Sequence, residues 1–136
     1  MSADNGIYIL KTKDQYRVIH AMAIDNLWYS HINENNNILV PTRILEYFGK
    51  SKYTRNFDVV SKIAFAMENR IRPLEYGIRT ISIDKTWDEI VQEAKEYARL
   101  EIDAIRSRKN DGRWDWDVCN LEKIINGEYD IIEKVS

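Results

Sequence analysis

Thr86-Trp87-Asp88-Glu89-Ile90-Val91-Gln92-Glu93-Ala94-Lys95-Glu96-Tyr97-Ala98-Arg99-Leu100-Glu101-Ile102-Asp103-Ala104-Ile105-Arg106 carries the strongest structural signal in the chain. Thr86 and Glu89 have the spacing of a capping box, in which a hydroxyl and a carboxylate each satisfy one orphan amide of a helix's first turn. Trp87, Ile90, Val91, Ala94, Tyr97, Ala98, Ile102 and Ile105 then recur at three and four residues, which gathers them into one apolar stripe. Acids collect at the start (Asp84, Asp88, Glu89) and bases at the end (Arg106, Arg108, Lys109), in the sense that complements a helix dipole. Asn110-Asp111-Gly112 stops the pattern. The spacing predicts a helix over 86–108. Burial of its stripe is worth on the order of 10–15 kcal/mol gross, most of it offset by chain entropy.

Upstream of that helix, Tyr76-Gly77-Ile78-Arg79-Thr80-Ile81-Ser82-Ile83 alternates with period two, the mark of a half-buried strand. Val59, Val60, Ile63, Ala64, Met67 and Ile71 predict a second long helix over 58–71, with Asp58 as N-cap and Pro73 forbidding continuation. Pro41 to Phe48, with proline near the start and Gly49 just past the end, reads as a two-turn helix. Near the N-terminus, Asp4-Asn5-Gly6 signals a turn. The apolar run Gly6 to Thr12 and the run Tyr16 to His20 then flank a short polar break and predict a hairpin. Arg17 alternates with Tyr16 and Val18, which predicts one half-exposed hairpin face. Ile24, Leu27 and Trp28 give residues 21–30 helical spacing, and Asn33-Glu34-Asn35-Asn36-Asn37 reads as a polar loop. Downstream come a loop with Trp114 and Trp116, a short helix near 117–126 stopped by Gly127, and a run Tyr129 to Val135 suited to a last strand.

These pieces predict an α+β fold: an antiparallel or mixed sheet of about four strands, its apolar face covered by helices 58–71 and 86–108. With 136 residues, 44% apolar, only two prolines and five glycines, one domain over 1–136 is expected, since single cores most often run about 100–150 residues. Fifteen aromatic rings exclude a disordered tail.

Twenty Lys and Arg against 22 Asp and Glu leave a net charge of −2, which argues against a protein whose task is to coat nucleic acid. The charge is unevenly spread. Residues 43–72 hold seven cations against three anions, and residues 106–113 hold four cations against Asp111 alone. Cys119, the single cysteine, allows no intrachain disulfide and no cysteine-based zinc site. No apolar h-region follows Met1, and no stretch of about 18 apolar residues occurs. A cytoplasmic protein with no membrane partner is therefore expected.

Chemistry-bearing groups are sparse. Cys119 on a short amphipathic helix reads as a buried, inert thiol. His20 and His31 stand eleven apart, which matches no compact metal motif, and His20 reads as a satisfied strand-edge residue. Glu89, Glu93, Glu96, Glu101 and Asp103 lie interleaved with Lys95 and Arg99 as a solvated helix face. No two glycines have phosphate-loop spacing. The sequence implies no cofactor, no metal and no catalytic set. The segment to follow is Arg106-Ser107-Arg108-Lys109-Asn110-Asp111-Gly112-Arg113-Trp114-Asp115-Trp116-Asp117. Its cations beside indoles suit a phosphate with a stacked base, or a protein partner, because Trp and Arg dominate interface hot spots. The bland alternative is a dipole-complementing helix end with its indoles tucked under the core. If the piece is extended, Trp114 and Trp116 fall on one side. Tyr47, Phe48, Lys50, Lys52, Tyr53 and Arg55 form a second patch of rings and cations, or equally a loop packed by its own aromatics.

Met1 to Leu10, Tyr16 to Ala21 and Ile24-Asp25-Asn26-Leu27, with Tyr47-Phe48-Gly49 and Glu75-Tyr76-Gly77-Ile78 further on, resemble small proteins encoded by tailed phages and prophages. The resemblance covers about a quarter of the chain and carries over no catalytic residue. It implies a phage accessory protein, of a kind that binds and inhibits a host or antiviral-defence factor in the host cytoplasm. The residues themselves, not the resemblance, mark Arg106, Arg108, Lys109, Arg113, Trp114 and Trp116 as the binding residues, for such a partner or for a nucleotide-like signal. A homo-oligomer fits that reading if the long helix carries more apolar surface than one small sheet covers. Two alternatives are a small metal-dependent hydrolase or nuclease using dispersed carboxylates and His20, and a nucleic-acid-binding module using residues 43–72.

Overall fold

A strand buried on both faces reads as an unbroken apolar run, and Gly6-Ile7-Tyr8-Ile9-Leu10 is such a run. The structure, a computed structural model, describes residues 5–22, 24, 28–29, 38–71, 74–107, 115–130 and 134–135. Along the chain come β1 (Asn5–Lys11), β2 (Tyr16–Met22), β3 (Trp28–Tyr29), β4 (Ile38–Leu39), α1 (Pro41–Phe48), β5 (Tyr53–Thr54), α2 (Phe57–Arg70), β6 (Ile78–Ser82), α3 (Trp87–Ser107) and α4 (Asp115–Ile125). The sheet is four-stranded and mixed, in the order β5-β2-β1-β6. β1 pairs antiparallel with β2, Ile9 opposite Val18, and parallel with β6, Ile7 opposite Ile78.

Both expected long helices are present, but they cover opposite faces of the sheet rather than a single one. Ile7 and Ile9 point one way, onto Val60 and Ala64 of α2. Tyr8 and Leu10 point the other way, into a larger core with α1, α3 and α4: Ile44, Leu45, Phe48, Trp87, Ile90, Val91, Ala98, Leu121 and Ile124. The period-two geometry of β1 therefore serves two cores at once. The apolar stripe of α3 that suggested uncovered surface is covered by α1 and α4 together with the sheet.

The helix ends show how local chemistry sets the boundaries. Thr86 and Glu89 form the expected capping box, the Glu89 amide donating to Thr86 Oγ1 at 3.2 Å and the Thr86 amide to Glu89 Oε1 at 3.3 Å. Helix α2 starts one residue earlier than expected, because Asn56, not Asp58, is its N-cap: Asn56 Oδ1 accepts from the Asp58 amide at 2.8 Å. Gly127, with φ of 83°, closes α4 as the αL residue of a Schellman turn, in which the Glu128 amide donates to the Lys123 carbonyl and the Gly127 amide to that of Ile124. Gly49 has an ordinary φ of −65° and is needed for space instead, since a Cβ there would run into the Tyr129 ring and the Leu45 carbonyl.

Three expectations are corrected. Residues 21–30 are not helical where described: Ala21 and Met22 continue β2, and Trp28–Tyr29 pairs antiparallel with Ile38–Leu39. Their helical spacing is short, and the β-rich composition around it prevails. Of the run Tyr129 to Val135, Tyr129 and Asp130 belong to a turn and not a strand, residues 131–133 lie outside the described residues, and Lys134 forms a bridge beside Tyr53. Arg17 is not half exposed but 1% exposed, on the face of α1 and α3.

Arg17 is the buried cation about which that face is organised. Its Nε donates to Gln15 Oε1 at 2.7 Å, and Nη1 donates to the carbonyls of Phe48 at 3.1 Å and Ser51 at 2.6 Å. The guanidinium carbon lies 3.7 Å from the centroid of the Trp87 ring. Burial lowers its pKa to about 10, so it stays charged at neutral pH, balanced by the C-terminal carbonyls of α1 and an indole face. Nearby Asp14, in the hairpin turn, accepts from the Trp87 amide at 3.0 Å. One corner thus joins the hairpin, the end of α1 and the start of α3.

Two predictions follow from this packing. Arg17→Ala takes the donor from the Ser51 carbonyl and opens a void over Trp87, so urea denaturation should report a loss on the order of 3 kcal/mol, with Arg17→Lys losing about half as much because an ammonium cannot span the same acceptors. Gly49→Ala, which overpacks the Tyr129 contact, should cost about 1–3 kcal/mol in the same assay.

Candidate functional site

Of the expected binding residues, Arg106 is in the last turn of α3 and exposed, its Nη2 donating to Glu122 Oε1 of α4 at 3.0 Å. Arg108, Lys109, Arg113 and Trp114 lie outside the described residues. The backbone of Trp116 belongs to the first turn of α4, which replaces the extended alternation that would have put Trp114 and Trp116 on one side. The structure therefore brings Arg106 to the α3–α4 junction.

A cleft of about 140 Å³ opens at that junction, lined by Arg43 and Glu46 of α1, Glu101 and Ile105 of α3, and Asp117, Asn120 and Leu121 of α4. Helical periodicity explains the lining: 43 and 46 are three apart, 101 and 105 four apart, and 120 and 121 three and four beyond 117, so each helix offers one stripe. The floor is apolar, from Ile105 and Leu121, and the walls carry three carboxylates against one guanidinium. Arg43 Nη1 donates to Glu46 Oε2 at 2.7 Å, and that hydrogen bond raises the Arg43 pKa. Burial pushes the Glu101 carboxyl up; Arg43 opposes the shift and the charges of Glu46 and Asp117 add to it, with the Thr42 hydroxyl 3.5 Å away. The cleft is thus built to accept hydrogen bonds and positive charge at its walls and an apolar stem at its floor.

The reading of Glu101 as part of a solvated face is corrected. It sits half buried between α1 and α4, whereas Glu96 and Asp103 are exposed and Glu93 pairs with Lys85. A signal for it existed. Tyr97, Glu101 and Ile105 form one i, i+4 row of α3, so a carboxylate interrupts a row that is otherwise aromatic and aliphatic. Glu46, Asp117 and Asn120 carried no such signal.

The other candidates resolve as follows. Cys119 is exposed, not buried. His20 is exposed on β2, an inner strand that runs on to Met22, and not at a strand end; His31 lies outside the described residues. No group of three His, Cys, Asp or Glu among the described residues is placed to hold a metal ion. The cations of residues 43–72 are divided, α1 on one face of the sheet and α2 on the other, so the described ones form no single patch. In the second patch Phe48 is buried, and the Phe48 and Ser51 carbonyls hold Arg17, so this loop is packed from within. No helix of the described chain is long and apolar enough to cross a membrane. Neither a family model, nor a curated protein, nor a solved structure matches this chain.

The raised pKa of Glu101 makes a signed prediction. A carboxyl whose folded-state pKa lies above its unfolded value contributes stability that is fully present below the ordinary glutamate value of about 4.3 and is lost as pH rises through the raised value. Glu101→Gln, which mimics the protonated form, should therefore melt higher than the parent protein at pH 7. Thermal melts of the two proteins should converge near pH 4.

Proposed function

We propose that this chain is an accessory protein of tailed-phage or prophage type that acts by binding. It occupies a host or antiviral-defence protein and seats a basic side chain of that partner in the α1–α3–α4 cleft. The observation that supports this reading is the cleft itself: three carboxylates face one guanidinium, already engaged by Glu46, around a space the size of one small group. An arginine or lysine side chain has the matching form, an apolar stem and a cationic head. The walls stand on three helices that share the main core, so the site is held before a partner arrives, which lowers the entropic cost of binding. Arg106 lies at the α3–α4 junction beside the cleft, where a further contact would add to the same interface. Phosphate suits these acidic walls poorly, so capture of a nucleotide-like signal would fall to Arg108, Lys109, Arg113 and Trp114 instead.

The test compares retention of host proteins by immobilised parent chain, Asp117→Asn and Asp117→Lys, read by mass spectrometry of proteins and small molecules. Asp117 is at the helix surface, so the melting temperatures of both variants should stay within a few degrees of the parent. The reading expects a retained protein whose affinity falls roughly tenfold in Asp117→Asn and is abolished in Asp117→Lys. Retention that is unchanged in both variants, or a nucleotide as the retained species, would count against it.

A further inference from the structure

We propose that two copies of this chain associate through the outer edge of β6, as an antiparallel strand pair centred on Thr80. This goes beyond the binding reading and does not depend on the cleft.

The two edges of the sheet differ. At one, β5 is two residues long and the Lys134 bridge already lies beside it, the Val135 amide donating to the Tyr53 carbonyl at 2.8 Å. At the other, β6 runs five residues, and no described strand pairs with its outer side. The direction of its backbone groups follows from the parallel ladder with β1. The Ile7 amide donates to the Gly77 carbonyl at 2.9 Å and the Ile83 amide to the Lys11 carbonyl at 2.8 Å, so residues 77, 79, 81 and 83 face β1. The amides and carbonyls of Ile78, Thr80 and Ser82 therefore face outward. The side chains of Arg79, Thr80 and Ser82 are exposed.

Natural sheets blunt such an edge with proline, a bulge or charged side chains; Ile78–Ser82 has no proline and no bulge, and its one charge, Arg79, stands opposite Tyr8. Its sequence is also self-complementary. Antiparallel pairing about a two-fold axis at Thr80 puts Thr80 opposite Thr80, a favourable cross-strand pair of β-branched residues, and Ile78 opposite Ser82. The outward-facing triplet of one copy thereby meets the same triplet of the other, donor to acceptor, in the isologous form of most homodimers. Arg79 is the one charge in the strand, and the two copies of it would be diagonal neighbours. Each guanidinium is drawn back over its own Tyr76 ring, 4.9 Å from the centroid, which takes it off the shared edge. Five residues a side is a small interface beside the roughly 1,200–2,000 Å² of a standard stable one, so the dimer is reversible and concentration-dependent.

Sedimentation velocity on the full chain from about 10 μM to about 1 mM should show a monomer passing to a dimer. Thr80→Pro removes one outward amide and leaves the β1 ladder, which uses residues 79 and 81, intact. It should stay monomeric over the same range, while Thr80→Val, which keeps the amide, should dimerise like the parent. Hydrogen exchange on the parent protein gives an independent reading. The amides of Ile78, Thr80 and Ser82 should slow as concentration rises, and those of Arg79 and Ile81 should not change. A parent chain that is monomeric throughout, a folded Thr80→Pro variant that still dimerises, or exchange at these three amides independent of concentration would overturn the proposal. If Thr80→Pro does not fold, the exchange measurement on the parent decides.

Discussion

The guanidinium of Arg17 is the point on which the arrangement of α1 and α3 depends. A buried cation ordinarily costs several kcal/mol in desolvation. Here that cost is offset by charge-assisted bonds to Gln15, Phe48 and Ser51 and by contact with the Trp87 face. No carboxylate is among those partners. The negative end of α1 takes that part, which ties the helix's C-terminus to the start of β2. Trp87 is the first residue of α3, so the same contact sets where the long helix begins against the sheet. Asp14 then fixes that start by accepting the Trp87 amide.

That corner governs the cleft at a distance. With the end of α1 held on Arg17 and the start of α3 held on Asp14 and Arg17, the two helices lie side by side, and their stripes at 43 and 46 and at 101 and 105 come to face each other. Helix α4 packs across them through Leu121 and Ile124 and brings Asp117 and Asn120 to the same opening. The Glu101 carboxyl is half buried as a consequence of this packing, and its raised pKa reports the desolvation that the three helices impose. A chain that lost the Arg17 contacts would loosen the cleft without any change in its lining residues.

Much of the fold was legible in the residues. The Thr86 and Glu89 pair announced the start of α3, the alternation of Ile78 to Ile83 announced a strand, and Gly127 marked the end of α4. Each of these signals is local, set by hydrogen bonds or side-chain periods within a few positions. The errors have the opposite character. Residues 21–30 carry a helical spacing too short to outweigh strand pairing, and Arg17 reads as solvent-facing because nothing within β2 shows that the end of a helix thirty residues downstream waits for it. The cleft was nearly invisible for the same reason. Glu101 left a trace by interrupting an apolar row, but Glu46 and Asp117 each read as an ordinary polar-face residue of an amphipathic helix and acquire meaning only by meeting.

Taken alone, the order of residues determined the four helices and the longer strands β1, β2 and β6, that a mixed or antiparallel sheet carries two long helices, and that the charge balance is near neutral. Those properties follow from caps, periods and composition, which act over one or two turns. Which face of the sheet each helix takes, that a cation lies in the core, and that three acids from three helices share one opening were decided only by the tertiary structure. They depend on contacts between residues tens of positions apart, whose free energy exists only once chain closure has been achieved.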